Sequence, residues 1–268
     1  MKNQILKKAA PAFVFALLST VAHAAGDLTA RQIMEKNFYS SKVSSFTAVS
    51  EMTLINAQGE KRERKLNNIQ KIQPNGIDSK IVAKFLEPAD VRGTGFLQVE
   101  HSDADDDQWI YLPALQKSRR LVANNKKDSF FGSDISYGDI SLPKVDAYKH
   151  TLLKSEMLGK FDCYVIESVP ATAAFKDDTG YSKKVSWIRK DSFLEAKVDY
   201  YDLNGELLKT QLVTGHHQVE KNPDHWLAET REVTNVQTGH KTIFTFSKIQ
   251  AGIPIDDSVF TTRQLEHP

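Results

Sequence analysis

Residues 46–54, with the sequence FTAVSEMTL, decide the fold class of this chain. Phe46, Ala48, Met52 and Leu54 alternate with more polar neighbours, and a period of two is typical of a β-strand with one buried face. A turn follows at residues 56–59, and a return strand is predicted over residues 60–73. Pro74-Asn75-Gly76 then forms a second turn before a third strand over residues 77–86. The stretch therefore predicts an antiparallel meander.

The same pattern continues along most of the remaining chain. Short connectors rich in Gly, Asn and Asp separate the predicted strands. One helix precedes them, because Thr29 and Gln32 have capping-box spacing ahead of apolar positions with a helical period. Many strands, short turns and little helix predict one wide, curved antiparallel sheet or an open barrel. The further predicted strands are residues 96–100, 108–112, 117–122, 151–157, 161–169, 183–189, 194–201, 206–217, 226–235 and 240–250.

Residues 123–149 interrupt this pattern and have no clean periodicity. Gly132, Gly138 and Pro143 favour loops with short helical turns. A structureless connection of this length is uncommon in a compact domain unless it has a function. We therefore predict that this segment is a lid.

The first 24 residues have the three parts of a secretory signal peptide. Lys2, Lys7 and Lys8 precede an apolar run over residues 9–21, and Ala22-His23-Ala24 is a small-x-small cleavage site. The run is too short to span a bilayer, and no cysteine follows the cleavage site to carry a lipid anchor. We predict a signal peptide at 1–24 and a single exported, unanchored domain at 25–268; the alternative is the amphipathic first helix of a cytosolic protein.

Composition excludes several classes of protein. The formal net charge is +1 and becomes −2 when the three lysines of the signal peptide leave. A nucleic-acid-binding protein usually has a basic face, so no nucleic-acid partner is expected. Cys163 is the only cysteine, so no internal disulfide can form, and its apolar surroundings predict a buried small hydrophobe.

Motifs for catalysis or metal binding are absent. The chain has no Gly-rich phosphate loop, no G-x-S-x-G and no H-E-x-x-H. The acidic loop at 101–107 lacks the glycine and the distal glutamate of a calcium loop, and His216 and His217 point to opposite faces of a strand. We expect no cofactor, no metal and no enzymatic activity. A hydrolase with a scattered site at Ser133, Asp134, Tyr137 and Asp139 remains an alternative, although no histidine accompanies them in the sequence.

Aromatic residues are spread over many of the predicted strands and the irregular middle. They fit either an ordinary core or an apolar cavity, which a wide curved sheet tends to enclose. Arg119 and Arg120 could bind a phosphate or carboxylate head group at the rim, since guanidinium binds both in a bidentate manner. The alternative for this pair is a solvated basic hairpin.

Several motifs resemble one known family. They are FLEPADVRGTGFL at 85–97, DQWIYLPAL at 107–115, Arg119-Arg120, FFGSD at 130–134, YGD at 137–139, WIRKD at 187–191 and YYDLNG at 200–205. Together they resemble the LolA-like outer-membrane lipoprotein-sorting family, in the branch associated with RND-type (MmpL-like) transporters.

The resemblance implies a mainly β (α+β) fold, in which a half-open, strongly curved antiparallel sheet holds a hydrophobic cavity plugged by helices. It also implies a periplasmic carrier for a lipid or acylated protein, working with an inner-membrane RND/MmpL-like transporter and an outer-membrane acceptor. An RseB-like sensor module is the alternative, although such sensors have a second C-terminal domain. From the aromatic pattern and the motifs together, we predict that the cavity or its lid is formed by Phe85, Phe96, Leu97, Trp109, Tyr111, Leu112, Phe130, Phe131, Tyr137, Trp187, Phe244 and Phe246, with Arg119 and Arg120 at a head group.

Overall fold

The computed structural model describes residues 28–121, 126–142, 144–221 and 224–266, and these contain thirteen β-strands. The predicted signal peptide lies outside the described residues. Each predicted strand is present within a few residues of its expected bounds. The strands are β1 (Ser45–Ile55), β2 (Lys61–Ile72), β3 (Ser79–Glu87), β4 (Gly95–Val99), β5 (Asp107–Leu112), β6 (Lys117–Leu121), β7 (Tyr148–Leu158), β8 (Phe161–Pro170), β9 (Lys183–Arg189), β10 (Glu195–Tyr201), β11 (Leu207–Glu220), β12 (His225–Asn235) and β13 (Lys241–Ala251).

All these strands pair antiparallel in one sheet. Their order is β6-β5-β4-β3-β2-β1-β13-β12-β11-β10-β9-β8-β7. The first strand pairs with the last, so the meanders β1–β6 and β7–β13 are joined at the centre, for example through the Met52–Phe244 pair. Strands β6 and β7 lie at opposite edges and do not pair in the described part of the chain, which confirms the predicted half-open, curved sheet.

The described part of the chain also contains three short α-helices: α1 (Ala30–Ser40), α2 (Ala173–Thr179) and α3 (Thr262–Glu266). The capping box of α1 is present, because the Thr29 hydroxyl accepts from the amide of Gln32 at 3.2 Å and the Gln32 side chain accepts from the amide of Thr29 at 2.9 Å. Ile33 of α1 packs on Ile166 and Ile188 of the sheet. The sequence did not predict α2 or α3.

The sheet has an inner and an outer face, set by strand alternation. Phe46, Ala48 and Met52 of β1 point to the inner face, where the largest apolar cluster lies. A stretch that we name the crossing segment (residues 126–142 and 144–147) runs between the two edge strands over this inner face. It contains three 3₁₀ turns, Phe130–Gly132, Tyr137–Asp139 and Val145–Ala147.

The C-terminal residues cover part of the outer face. Phe260 and Leu265 are buried against Val82 and Leu97 of β3 and β4. Within the described ranges, no helix combines the length and the apolar composition that crossing a bilayer requires.

Candidate functional site

A partly enclosed cavity of about 190 Å³ lies between the inner face of the sheet and the crossing segment. Most of its wall is apolar. Phe46 and Ala48 of β1, Phe96 of β4 and Phe244 of β13 contribute to the wall from the sheet. Their side chains meet because alternate residues of neighbouring antiparallel strands point to one face. The remaining apolar lining is Ile69, Ile81, Ala83, Phe130, Ile135, Ile140, Leu142, Leu194, Val213, Trp226, Leu227, Ala228, Phe246 and Ile249.

The crossing segment contributes an aromatic plug beside the cavity. The ring of Phe130, which is 2% exposed, packs edge-to-face on Phe96 and Phe131, with centroids 5.4 and 4.9 Å apart. Phe131 packs in turn on Phe85, and Tyr137 on Phe96. These rings bury the apolar side of a segment whose secondary structure, in its described residues, is limited to short 3₁₀ turns and an isolated β-bridge.

Asp134 links the crossing segment to Thr242 of β13 and to the neighbouring His240 through polar contacts. Its carboxylate accepts from the Thr242 hydroxyl at 2.7 Å and contacts Nδ1 of His240 at 2.6 Å. Its backbone amide donates to the same hydroxyl at 2.9 Å. His240 lies 106 residues away in sequence, so the sequence did not reveal the pair. Ser133 of the hydrolase alternative instead hydrogen-bonds with the carbonyl of Ile135.

Asp139 fastens the segment to β9 and β11. Its side chain is only 7% exposed, and it accepts from Nζ of Lys209 at 2.8 Å and from the hydroxyl of Tyr181 at 2.7 Å, with Nζ of Lys184 at 3.7 Å. Burial alone would raise the pKa of Asp139, but Lys209 and Lys184 outweigh it and hold that pKa well below its usual value. The carboxylate is therefore ionised at neutral pH.

A polar patch interrupts the apolar wall where β10, β11 and β12 meet. It contains Arg231, Glu195 and His216. Burial raises the pKa of Glu195, although Arg231 and Lys184 oppose the shift. Burial also lowers the pKa of His216 to about 4, assisted by the charge of Arg189, so this imidazole is neutral at pH 7.

A buried ion pair lines the cavity where α1 ends. Lys42 and Glu100 approach to 3.6 Å, and their side chains are 4% and 5% exposed. Lys42 also donates to the hydroxyl of Ser79 at 3.1 Å. Burial lowers the pKa of Lys42 against the opposing effect of Glu100. Among the described residues, no group of three or more His, Cys, Asp or Glu side chains is arranged to hold a metal ion.

The structure brings seven of the predicted site residues to the inner face. Phe96, Phe130, Phe244 and Phe246 line the cavity, and Phe85, Phe131 and Tyr137 pack around it. Sequence reasoning missed Arg231, Glu195 and the Lys42–Glu100 pair. Alternation along β12 could have placed Arg231 on the same face as Val233, but nothing local indicated that this face encloses a cavity.

Leu97, Trp109 and Tyr111 lie elsewhere. They belong to the outer-face cluster around Phe260 and Leu265. Leu97 directly follows Phe96 on β4 and therefore points to the opposite face. The sequence predicted that these three side chains line the cavity. In the structure they pack beneath the C-terminal residues instead.

The remaining predicted residues also lie away from the cavity. Leu112 is 39% exposed at the end of β5, and Trp187 packs beneath Lys197 and hydrogen-bonds with Glu156. Arg119 and Arg120 are adjacent on edge strand β6, so they point to opposite faces of the sheet. Arg120 forms a salt bridge with Asp107.

The two faces give a paired prediction. We expect Trp109→Ala to lower the free energy of unfolding by about 1–3 kcal/mol, below the 3–5 of a fully buried Trp because this ring is only partly buried. It should leave binding of an apolar probe unchanged. Phe246→Ala should alter probe binding instead. Chemical denaturation and probe titration of both variants provide the check, and impaired probe binding by Trp109→Ala alone would contradict this assignment of faces.

This chain is similar in sequence and fold to several proteins of known structure. It is 31% identical to a domain assigned as an outer membrane lipoprotein-sorting protein in Vibrio parahaemolyticus, over 89% of this chain and 98% of that one, with a TM-score of 0.82. This chain belongs to the outer-membrane lipoprotein-sorting family. A family model described as covering uncharacterized proteins also matches residues 77–267. Among curated proteins, none matches the chain.

Two other solved structures share the family architecture. A DUF1329 family protein from Desulfovibrio piger is 28% identical, with a TM-score of 0.81, and the match covers 88% of this chain and 97% of that one. A LolA superfamily protein from Nitrosomonas europaea is 19% identical over 89% of this chain and its whole length, with a TM-score of 0.68, and it supports the fold alone.

Proposed function

We propose that this protein is a periplasmic carrier that binds the acyl chains of a lipid or lipoprotein in the cavity on its inner face and passes them between membranes. The observation that carries this proposal is the apolar cavity between a half-open sheet and the crossing segment, in a member of a lipoprotein-sorting family. An acyl chain that leaves water for such a site gains about 0.8 kcal/mol per buried CH₂. We also propose that this protein has no enzymatic activity.

Uptake requires the cavity to enlarge. A volume of about 190 Å³ is below the roughly 300–1,000 Å³ of typical small-molecule pockets. The aromatic plug of the crossing segment is the part that would move, because Phe130 and its neighbours pack on the sheet without being part of it, while Asp134 and Asp139 keep the segment attached. Release of these rings would open a continuous apolar surface over β1, β4 and β13. Handover then follows when an acceptor offers a larger apolar site.

A carrier between membranes needs partners that supply and receive its cargo. We propose that an inner-membrane RND/MmpL-like transporter or an outer-membrane acceptor exchanges cargo with the open form. The predicted signal peptide at 1–24 supports export to the periplasm. An RseB-like sensor module is the second candidate, since it would use the same fold to bind a membrane-bound signalling protein.

Native mass spectrometry tests the carrier role. The chain is purified from periplasm without detergent and extracted with organic solvent. We expect a reproducible added mass that extracts as lipid, because an apolar cavity retains acyl chains in water. An apo mass with no uptake from added phospholipid or acylated peptide, together with capture of a membrane-bound signalling protein, would contradict the carrier and favour the sensor.

A further inference from the structure

The polar patch of the cavity contains a cation without a fixed counter-ion. Arg231 points inward from β12, next to Phe244 of β13 and Val213 of β11 in the strand register. It lines the apolar cavity and also an adjoining pocket of about 80 Å³. Within the described residues, it makes no hydrogen bond or salt bridge, and the titratable groups close enough to feel its charge include Glu195, Tyr200 and His216.

The nearby acidic groups are already engaged. Asp139 lies between Lys209 and Lys184 and accepts from Tyr181. Glu195 accepts from the side-chain amide of Gln211 at 3.1 Å. Burial raises the pKa of Glu195 above its ordinary value in spite of the opposing charges of Arg231 and Lys184, and Glu195 forms no salt bridge with Arg231. His216 is neutral at pH 7 and adds no charge.

A partly buried guanidinium is costly unless an anion pairs with it. Guanidinium presents a fork of donors that matches carboxylate and phosphate oxygens. The apolar wall that adjoins Arg231 suits the chain of an amphiphile, with Phe244 and Phe246 beside it. We propose that Arg231 binds the oxyanion of an anionic amphiphile, a carboxylate or phosphate head group, whose apolar chain lies in the cavity. This inference rests on the proposed lipid-binding function and names the class of lipid.

Amphiphiles with the same chain length distinguish the effect of head-group charge on binding from the effect of the apolar chain. The probes are dodecanoate, dodecyl phosphate and uncharged dodecanol, measured by displacement of the neutral fluorophore N-phenyl-1-naphthylamine. We expect one or both anions to bind about tenfold more tightly than dodecanol to the unaltered protein, since charge-assisted hydrogen bonds are about twice as strong as neutral ones. The stronger of the two anions identifies the head group as carboxylate or phosphate. Inorganic phosphate alone should compete weakly, because it has no chain.

Arg231→Gln should remove the preference for anions over dodecanol, because the Gln side chain has no charge to pair with an oxyanion. Arg120→Gln is the matched control, because Arg120 lies on β6 away from the cavity, and it should retain the preference. Arg231→Lys keeps the charge without the fork and should show an intermediate preference. The comparison of anions with dodecanol on the unaltered protein stands even if an Arg231 variant does not fold.

The outcomes distinguish this inference from the proposed function. Equal binding of dodecanoate, dodecyl phosphate and dodecanol would overturn the role of Arg231 while leaving a lipid-binding cavity. An undiminished anion preference in folded Arg231→Gln would also overturn it. Failure of every amphiphile to displace the fluorophore would instead contradict the proposed function itself.

Discussion

Replacing Asp139 by Asn is expected to lower the free energy of unfolding by about 3–5 kcal/mol, the range for breaking a buried ion pair by removing one partner. The carboxylate is the shared partner of Lys209, Lys184 and the Tyr181 hydroxyl. Without it, two ammonium groups stay buried beside Tyr200, whose ring lies 4.9 Å from each of them. Urea denaturation of both forms at pH 7 measures the difference.

Asp139 should also make the free energy of unfolding depend on pH in the acid range. The folded-state pKa of Asp139 is depressed below its ordinary value of 3.8, so its stabilising contribution is present above that value. As the pH falls below about 4, the unfolded state takes up a proton that the folded state does not, and stability declines. The slope of unfolding free energy against pH in this acid range should be smaller in Asp139→Asn.

Asp191→Asn serves as the control for Asp139→Asn. Asp191 also pairs with a cation, Arg189 at 2.7 Å, but its side chain is 61% exposed. Exposed pairs contribute about 0–1 kcal/mol, so this variant should unfold almost like the unaltered protein. Equal, small effects of both substitutions would show that the crossing segment does not depend on Asp139.

Ala48→Phe is expected to weaken lipid binding about 100-fold. Ala48 is 3% exposed on β1 and lines the cavity beside Phe46 and Phe246. A ring at this position fills space that an acyl chain would use. Exclusion of about four CH₂ groups removes about 3 kcal/mol of binding free energy at roughly 0.8 kcal/mol each. Titration with the fluorophore or a phospholipid measures the loss.

Val49→Phe is the matched control for this substitution. Val49 is the next residue on β1 and points to the outer face, so the same ring is added away from the cavity. Overpacking at Ala48 should cost about 1–3 kcal/mol of stability, which thermal unfolding detects separately from binding. Full lipid binding by a folded Ala48→Phe protein would show that the cargo does not occupy this cavity.

Local patterns predicted the strands because alternation is a property of neighbouring residues. The period of two along residues 46–54, the hairpin turn at Pro74-Asn75-Gly76 and the capping box of Thr29 all act within a few residues. They therefore determined the strand sequence, the N-terminal helix and the antiparallel meander. The same logic fails for α3 (Thr262–Glu266), whose short length leaves no periodic signal and whose Leu265 is held by packing on β4.

The sequence by itself determined that Phe96 and Leu97 point to opposite faces, but it could not say which face holds the cavity. Tertiary structure decided this, because the crossing segment covers one face through Phe130 and the C-terminal residues cover the other through Leu265. Tertiary structure also decided which charged side chains lie close together. Asp139 and Lys209 are 70 residues apart, and Arg231 and Glu195 lie on different strands. Their contacts depend on sheet pairing and curvature, which no local pattern encodes.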